Sequence, residues 1–314
     1  MRTLVVGAGA IGGYFGGRLL EANHDITFLV RPRRAAELAS SGLIIRSRFG
    51  DVNIPTPKTI LAEDLKEHFG LILLSCKAYD LENAITSLAP AVGADTAILP
   101  LLNGMRHMDV LDARFGPARV LGGQCLIAAT LNDKREIAHL NENHDLTFGE
   151  RDGSHSARIE AITTLLSGAR FAARRSEAIL QEMWEKWVFI ATAAGITCLM
   201  RSAIGDIVAA GAADLASTLL DECAAIAAQQ GFSPSAESLQ RIRAMLTKPG
   251  SGLTASMLRD VERNAPTEGD HIIGDLFQRG EKKHLASPLL RIAYAHLKAY
   301  DARRNRGTST GKTA

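Results

Sequence analysis

The sequence predicts an α/β protein whose N-terminal part is a doubly wound, mostly parallel sheet and whose C-terminal part is all helical. Three observations predict it. Within residues 1–31 a β-prone run, a glycine turn, a helical pattern and a second β-prone run follow one another. Apolar runs of strand length then alternate with helical periodicity as far as Arg174. From Ser176 to Tyr300 almost every segment repeats at helical spacing and no strand pattern is left.

Leu4-Val5-Val6 is the first strand, and Gly7-Ala8-Gly9-Ala10-Ile11-Gly12 follows it directly. Ile11, Phe15, Leu19 and Leu20 recur at helical spacing, and residues 26–30 form the second strand, which ends in Arg31. Strand, turn, helix and strand make a βαβ unit of Rossmann type, with glycines at the G-x-G-x-x-G positions. Gly7 permits the tight turn, Gly9 lets a pyrophosphate approach the backbone, and Gly12 lets the helix pack close to the strand. The helix start at Ala10 and Ile11 offers free N–H groups and a positive dipole end to phosphates. Glycine-rich turns also serve pure packing, but this one leaves a strand and opens a helix, as dinucleotide binding requires. NAD sites place an acid at the end of the second strand, whereas a 2′-phosphate calls for arginine. Arg31, with Arg33 and Arg34 behind it, therefore points to NADP(H); the other reading is a solvated basic loop.

A short helix is expected at 33–39, with short strands at 43–46 and 52–54 around Gly50-Asp51. The apolar run at 71–76 suits a parallel strand buried on both faces, and it ends in Lys77. Leu81, Ala84, Ile85 and Leu88 predict a helix that stops near Pro90 and Gly93. Residues 96–102 read as a buried strand closed by Asn103-Gly104, which is a turn signal in its own right. Further strands are expected at 120–131, 136–139 and 145–148, and a helix at 159–166, completing an NADP-binding domain over 1–174.

A helical domain is expected over 175–303. Residues 177–200 are apolar on most faces, as a helix at a domain centre would be. Helices at 213–230, 235–246, 257–264, 272–279 and 289–304 follow, with Gly231 as a stop and 248–252 as a loop. The tail 304–314 is polar, rich in Gly, Ser and Thr, and expected to fray. Its Gly307 to Thr313 run is one residue short of a P-loop and lacks the preceding strand.

At 314 residues the chain is long enough for two cores. Hydrophobic residues make up 46% and charged ones 22%, the balance of a soluble globular protein. Lys plus Arg (36) against Asp plus Glu (34) leaves +2, which argues against nucleic acid or a membrane surface as partner. Cys76, Cys125, Cys198 and Cys223 are scattered without a C-x-x-C pair, so they read as buried thiols rather than a metal or disulfide framework. The first strand begins too early for a signal peptide, and no long apolar run suggests a membrane span, so a cytoplasmic protein is expected.

Ligands of open α/β sheets sit outside the carboxyl ends of the strands, which makes Lys77 and Asn103 the first candidates. Lys77 reads equally as a solvated strand end. In the helical part, Lys186 stands between Trp184 and Trp187 on an apolar helix, where an ammonium is costly unless something uses it. The other reading is a surface pair with Glu182, four residues earlier.

The start LVVGAGAIGGYFGGRL, Cys76-Lys77-Ala78-Tyr79, Leu102-Asn103-Gly104-Met105 and the Trp184-x-Lys186 helix together resemble the ketopantoate (2-dehydropantoate 2-) reductase family. Ser256-Met257-Leu258-Arg259-Asp260 and Pro266-Thr267-Glu268-Gly269-Asp270 extend the resemblance, in the right order, to about residue 280. It implies a Rossmann domain and a helical domain that close over NADPH and a 2-oxo acid. It makes Lys186 the general acid, with Glu268 and Ser256 beside it at the substrate. Asn103 would lie between cofactor and substrate, Lys77 would line the cleft, and Arg31 would hold the 2′-phosphate. The resemblance also suggests a homodimer. The family carries asparagines four and eight residues beyond the lysine, where this chain has Ile190 and Ala194. An apolar pocket discriminates by size, at about 1–3 kcal/mol per methylene. The expected activity is therefore reduction of an apolar 2-oxo acid, within pantothenate biosynthesis if ketopantoate is the substrate. The alternatives are a dehydrogenase of another apolar 2-hydroxy acid and a non-catalytic NADPH-binding regulator on the same scaffold.

Overall fold

The computed structural model describes residues 1–310, and the chain divides into two compact units. One consists of Met1–Leu102 with His107–Ile179, the other of Asn103–Arg106 with the chain from Leu180 onward.

The first unit runs β1 (Thr3–Val6), α1 (Ala10–Glu21), β2 (Ile26–Leu29), α2 (Pro32–Ser41), β3 (Leu43–Arg46), β4 (Val52–Ile54) and β5 (Thr59–Ile60). It continues with β6 (Leu71–Leu74), α3 (Leu81–Leu88), β7 (Ala97–Pro100), α4 (Arg106–Phe115), β8 (Gly122–Leu131), β9 (Ile137–Gly149), α5 (Ala157–Ser167) and β10 (Ala172–Arg175). Five strands form a parallel sheet in the order β5-β2-β1-β6-β7. Every residue of β1, β2, β6 and β7 is buried, which is why these strands show in the sequence as unbroken apolar runs. The strand order reverses between β1 and β6, so the switch point of the sheet falls beside β1.

The remaining strands form a second, mixed sheet in the order β10-β9-β3-β4, with β8 also paired to β9. The single mostly parallel sheet expected from the sequence covers only the first of these. Two turns reverse the chain: one at Gly50, with φ +98°, between β3 and β4, and one ending at Arg135, with φ +63°, between β8 and β9. The separate strands expected at 136–139 and 145–148 are one strand. β8 pairs with both parts of it across a register shift between Ile127 and Ala129, so the polar residues between them stay extended. Helix α4 and strand β10 have no counterpart in the sequence reading. Only His107, Met108 and Leu111 of α4 are buried, and β10 carries two arginines and is held by parallel pairing to β9.

The second unit contains α6 (Ile179–Met200), α7 (Ile204–Ala209), α8 (Ala213–Gln229), α9 (Ala236–Leu246) and α10 (Ser256–Glu262). A π-helical turn, Asp270–Gly274, then leads into α11 (Asp275–Glu281), and α12 (Pro288–Thr310) follows. Trp184, Trp187, Val188, Ala191, Ala194 and Ile196 bury several faces of α6, as its apolar sequence requires. Ser235 accepts from the Ser238 N–H to start α9, and the Glu222 carboxylate accepts from the N–H groups of Leu289 and Leu290 at the start of α12. The change expected after residue 174 falls inside β10, and α6 begins only at Ile179. The tail expected to fray from Arg304 is helical as far as Thr310. Ala302, Arg303, Arg304 and Arg306 favour helix, and Gly307 costs only about 1 kcal/mol relative to alanine. The last four residues of that tail, with the end of its P-loop-like run, lie outside the described residues.

Among the described residues no helix is long and apolar enough to cross a membrane. Cys125, Cys198 and Cys223 are buried, whereas Cys76 is half-buried because it follows the end of β6. Burial pushes the Cys198 and Cys223 thiols up to about 12.

Candidate active site

In the first unit the site is built on the turn between β1 and α1. Gly7 has φ +93°, a conformation L side chains rarely adopt, and its N–H donates to the Leu29 carbonyl at the end of β2 (3.0 Å). A Cβ on Gly12 would lie 2.1 Å from both the Gly7 carbonyl oxygen and Ser75 Oγ, so the first turn of α1 rests directly on the glycine turn and on the end of β6. Ser75 Oγ donates to the Val6 carbonyl at 2.9 Å and fastens those two strand ends together. Gly9, by contrast, faces open space: a Cβ there would meet nothing within 4 Å. No side chain caps α1, and its first turn contains no acid. The positive end of the helix at Ala10 and Ile11 is therefore uncompensated by either, the condition that favours a phosphate. These residues fit a dinucleotide.

Arg31 precedes α2, is 67% exposed and donates to Asp80 Oδ1 at 2.7 Å. That hydrogen bond raises the Arg31 pKa further above its ordinary value. Arg34 is drawn inward: its Nε donates to the Ala8 carbonyl of the glycine turn at 3.0 Å, and its Nη1 meets Glu37 at 3.1 Å. Glu37 also binds Arg33 and Arg135. Burial opposes ionisation of Glu37, but hydrogen bonds from Arg135, Arg34 and Arg33 hold its carboxyl below the usual range. Lys77 is exposed and stands just before the short turn Ala78–Asp80.

In the second unit Lys186 is half-buried on α6, between the buried Trp184 and Trp187. Trp187 Nε1 donates to the Ile272 carbonyl at 2.8 Å. Trp184 stacks on Phe232, and the Arg279 guanidinium lies 5.8 and 5.6 Å from the centroids of Trp184 and Trp187. The turn that carries Lys186 is thus pinned on both sides. Glu268 is half-buried, and its carbonyl accepts from the His271 (3.1 Å) and Ile272 (2.9 Å) N–H groups to start the π-helical turn. Such turns are frequent at functional sites. Asn103 is half-buried, and its backbone hydrogen-bonds the His271 side chain. Gly104, with φ +80°, packs so close that a Cβ there would lie 3.0 Å from the His271 ring. Ser256 is exposed at the first position of α10, while Met257 and Leu258 behind it are buried. On α6, Ile190 is half-buried and Ala194 is buried.

Asn103, Glu268 and His271 thus gather around one π-helical turn, to which the Trp187 bond ties the Lys186 helix. The glycine turn, Arg31 and Lys77 belong to the other unit. The sequence reading missed His271, Arg34's hold on Ala8, and Asp80. His271 is buried, and burial pushes its imidazole below the ordinary value; the Glu268 and Asp275 carboxylates act in the opposite direction and Arg106 acts with burial. A lone histidine before two isoleucines reads as core. Its place three residues after Glu268 was the available signal.

The chain matches the family model for ketopantoate reductase PanE/ApbA over residues 3–153, and the model for the ketopantoate reductase PanE/ApbA C terminal over residues 178–301. An uncharacterized oxidoreductase of Bacillus subtilis (strain 168), YkpB, is 38% identical over 303 residues, which is 96% of this chain and 99% of that one. A 2-dehydropantoate 2-reductase of Archaeoglobus fulgidus is 28% identical over 282 residues, covering 90% of this chain and 91% of its own. The crystal structure of 2-dehydropantoate 2-reductase from Geobacter metallireducens GS-15 matches with a TM-score of 0.86 at 26% identity, over 95% of this chain and 99% of its own.

Proposed function

The chain belongs to the ketopantoate reductase family, oxidoreductases that act on a CH–OH group, and from that premise we propose that it reduces an apolar 2-oxo acid to the 2-hydroxy acid with NADPH. The observation that carries the reading is the start of α1, which is uncapped, free of acids in its first turn and open at Gly9. In this reading Gly7, Gly9, Ala10, Ile11 and Gly12 receive the pyrophosphate, Arg31 meets the 2′-phosphate, and Lys77 contacts the cofactor.

A dinucleotide held by these residues would supply the hydride for the carbonyl carbon of the substrate. Negative charge then develops on the carbonyl oxygen, and the Lys186 ammonium stabilises it and donates the proton. Glu268 keeps that ammonium charged and oriented and borders the cofactor, since a nearby carboxylate offsets the desolvation that lowers a lysine's pKa. Asn103 and Ser256 bind the substrate's polar end. The fixed turn of α6 between Trp184 and Trp187 supports this assignment, because a proton donor must hold its position through the reaction. Ile190 and Ala194 support an apolar substrate chosen by size. Ketopantoate carries a hydroxyl and so belongs to the hydroxylated 2-oxo acids rather than to that class; its turnover would extend the reading to pantothenate biosynthesis. The family likeness extends the reading to a homodimer, which light scattering would test.

The direct test is NADPH consumption over a panel of straight-chain, branched and hydroxylated 2-oxo acids. Turnover is expected with the branched apolar members. Absence of turnover with every member would overturn the reading.

A further inference from the structure

We propose that Asp80 sets the dinucleotide preference of this protein, so that the site accepts NADH alongside NADPH. The inference rests on the reading above in one respect: it takes Arg31 as the residue that meets the 2′ substituent of the adenosine ribose.

Arg31 leaves the carboxyl end of β2, and Asp80 ends the short turn that follows β6. In the sheet, β2 and β6 are the two neighbours of β1. The 2.7 Å bond between Arg31 and Asp80 therefore joins the chain segments on either side of the strand that carries the glycine turn. It does so at the carboxyl edge of the sheet, beside the switch point, where dinucleotides bind.

Sites for NAD hold the ribose 2′-hydroxyl with an acid at the end of the second strand. Here β2 is followed by Val30, Arg31 and Pro32, and no acid stands there. Asp80 brings a carboxylate to the Arg31 guanidinium from the opposite side of β1. Side-chain exposures of 67% for Arg31 and 31% for Asp80 leave both reachable by a ligand.

Charge then decides between the two dinucleotides. A 2′-phosphate must share one guanidinium with the Asp80 carboxylate, and two anions on one cation repel each other. A 2′-hydroxyl meets no such conflict, because it donates to Asp80 while Arg31 stays neutralised. Of the neighbouring arginines, Arg34 is engaged by the Ala8 carbonyl and Glu37, and Arg33 pairs with Glu37 at the surface rather than with Asp80. Asp80 thus disfavours NADPH and supplies the acceptor that NADH needs.

The test is calorimetric titration of the full-length protein, its Asp80→Asn variant and its Arg31→Ala variant with NADP⁺ and with NAD⁺. The wild-type protein is expected to bind both within about tenfold of each other. Asp80→Asn is expected to shift the ratio toward NADP⁺ by about tenfold, the effect of removing one charge a few ångströms from a surface phosphate. An unchanged ratio in Asp80→Asn, or one moved toward NAD⁺, would overturn the proposal. So would a wild-type preference for NADP⁺ beyond about a hundredfold, which leaves no useful NADH binding. Arg31→Ala is expected to weaken NADP⁺ selectively. If it weakens both dinucleotides equally, the assignment of Arg31 itself falls, whatever Asp80 does.

Discussion

In the proposed mechanism, Lys186 is where the chemistry and the packing of this protein meet in one side chain. Its neighbours are buried, Trp184 stacked on Phe232 and Trp187 bonded to the Ile272 carbonyl, so truncating the lysine removes the ammonium without loosening the helix turn. Lys186→Ala is expected to lower kcat by about 10²–10⁴-fold and to leave the NADP⁺ dissociation constant within about twofold. Steady-state kinetics with parallel binding titrations check both halves, and an undiminished kcat would remove the lysine from its role. His271 supports a second prediction, on acid stability. Burial holds its imidazole below the ordinary value of 6.5, so as the pH falls the unfolded chain binds a proton that the folded chain refuses. The stability linked to it is fully present above about pH 6.5 and is lost as the pH drops below that. His271→Gln keeps a side-chain donor and is expected to flatten the fall in denaturation midpoint between about pH 7 and 5. Equal slopes in variant and parent would assign the fall to His144 or His296, whose imidazoles burial also lowers.

Among the elements, α1 tolerates the least change at its first turn. Gly12→Ala would force a Cβ to within 2.1 Å of a backbone carbonyl that cannot rotate away. It is expected to destabilise the protein by about 1–3 kcal/mol and to weaken dinucleotide binding, both readable by thermal melting with and without NADP⁺. On α6, Trp187→Phe removes the side-chain donor to the Ile272 carbonyl, at a cost of about 0.5–1.5 kcal/mol. Because the bond holds the Lys186 turn to the segment after Glu268, kcat should fall more than KM rises. Elements of this kind were legible in the sequence for a physical reason. A strand buried on both faces, or a long helix buried on most, writes its environment as unbroken or periodic apolar residues, as β1, β6 and α6 do. Helix α4 buries too few residues to leave such a trace, and β10 is specified by its partner β9 rather than by its own Ala-Ala-Arg-Arg. The site divides in the same way. The glycine turn is a local pattern and could be read. The bonds of Asn103 to His271 and of Arg31 to Asp80 join residues far apart in the chain, and no spacing announces them.

At the scale of the whole molecule, the division into two units predicts where a ligand will be felt. NADP⁺ at about a hundredfold over its dissociation constant should stabilise the folded state by about 2.7 kcal/mol. Hydrogen exchange is expected to slow at residues 7–13, 31–34 and 75–80, while α8 and α9 keep their rates. Protection confined to the helical unit would contradict the placement of the nucleotide on the glycine turn. The short segment Asn103–Arg106 complicates any attempt to separate the units. The chain leaves the first unit after Leu102, returns to it at His107 and leaves it again after Ile179. A ribosome therefore delivers Asn103 long before it has made His271, and the nascent first unit must carry a stub that belongs to a body not yet synthesised. A gene cut at Ile179 would leave that stub permanently without its partner, so grafting the nucleotide half onto another protein calls for rebuilding this corner as well as choosing a cut.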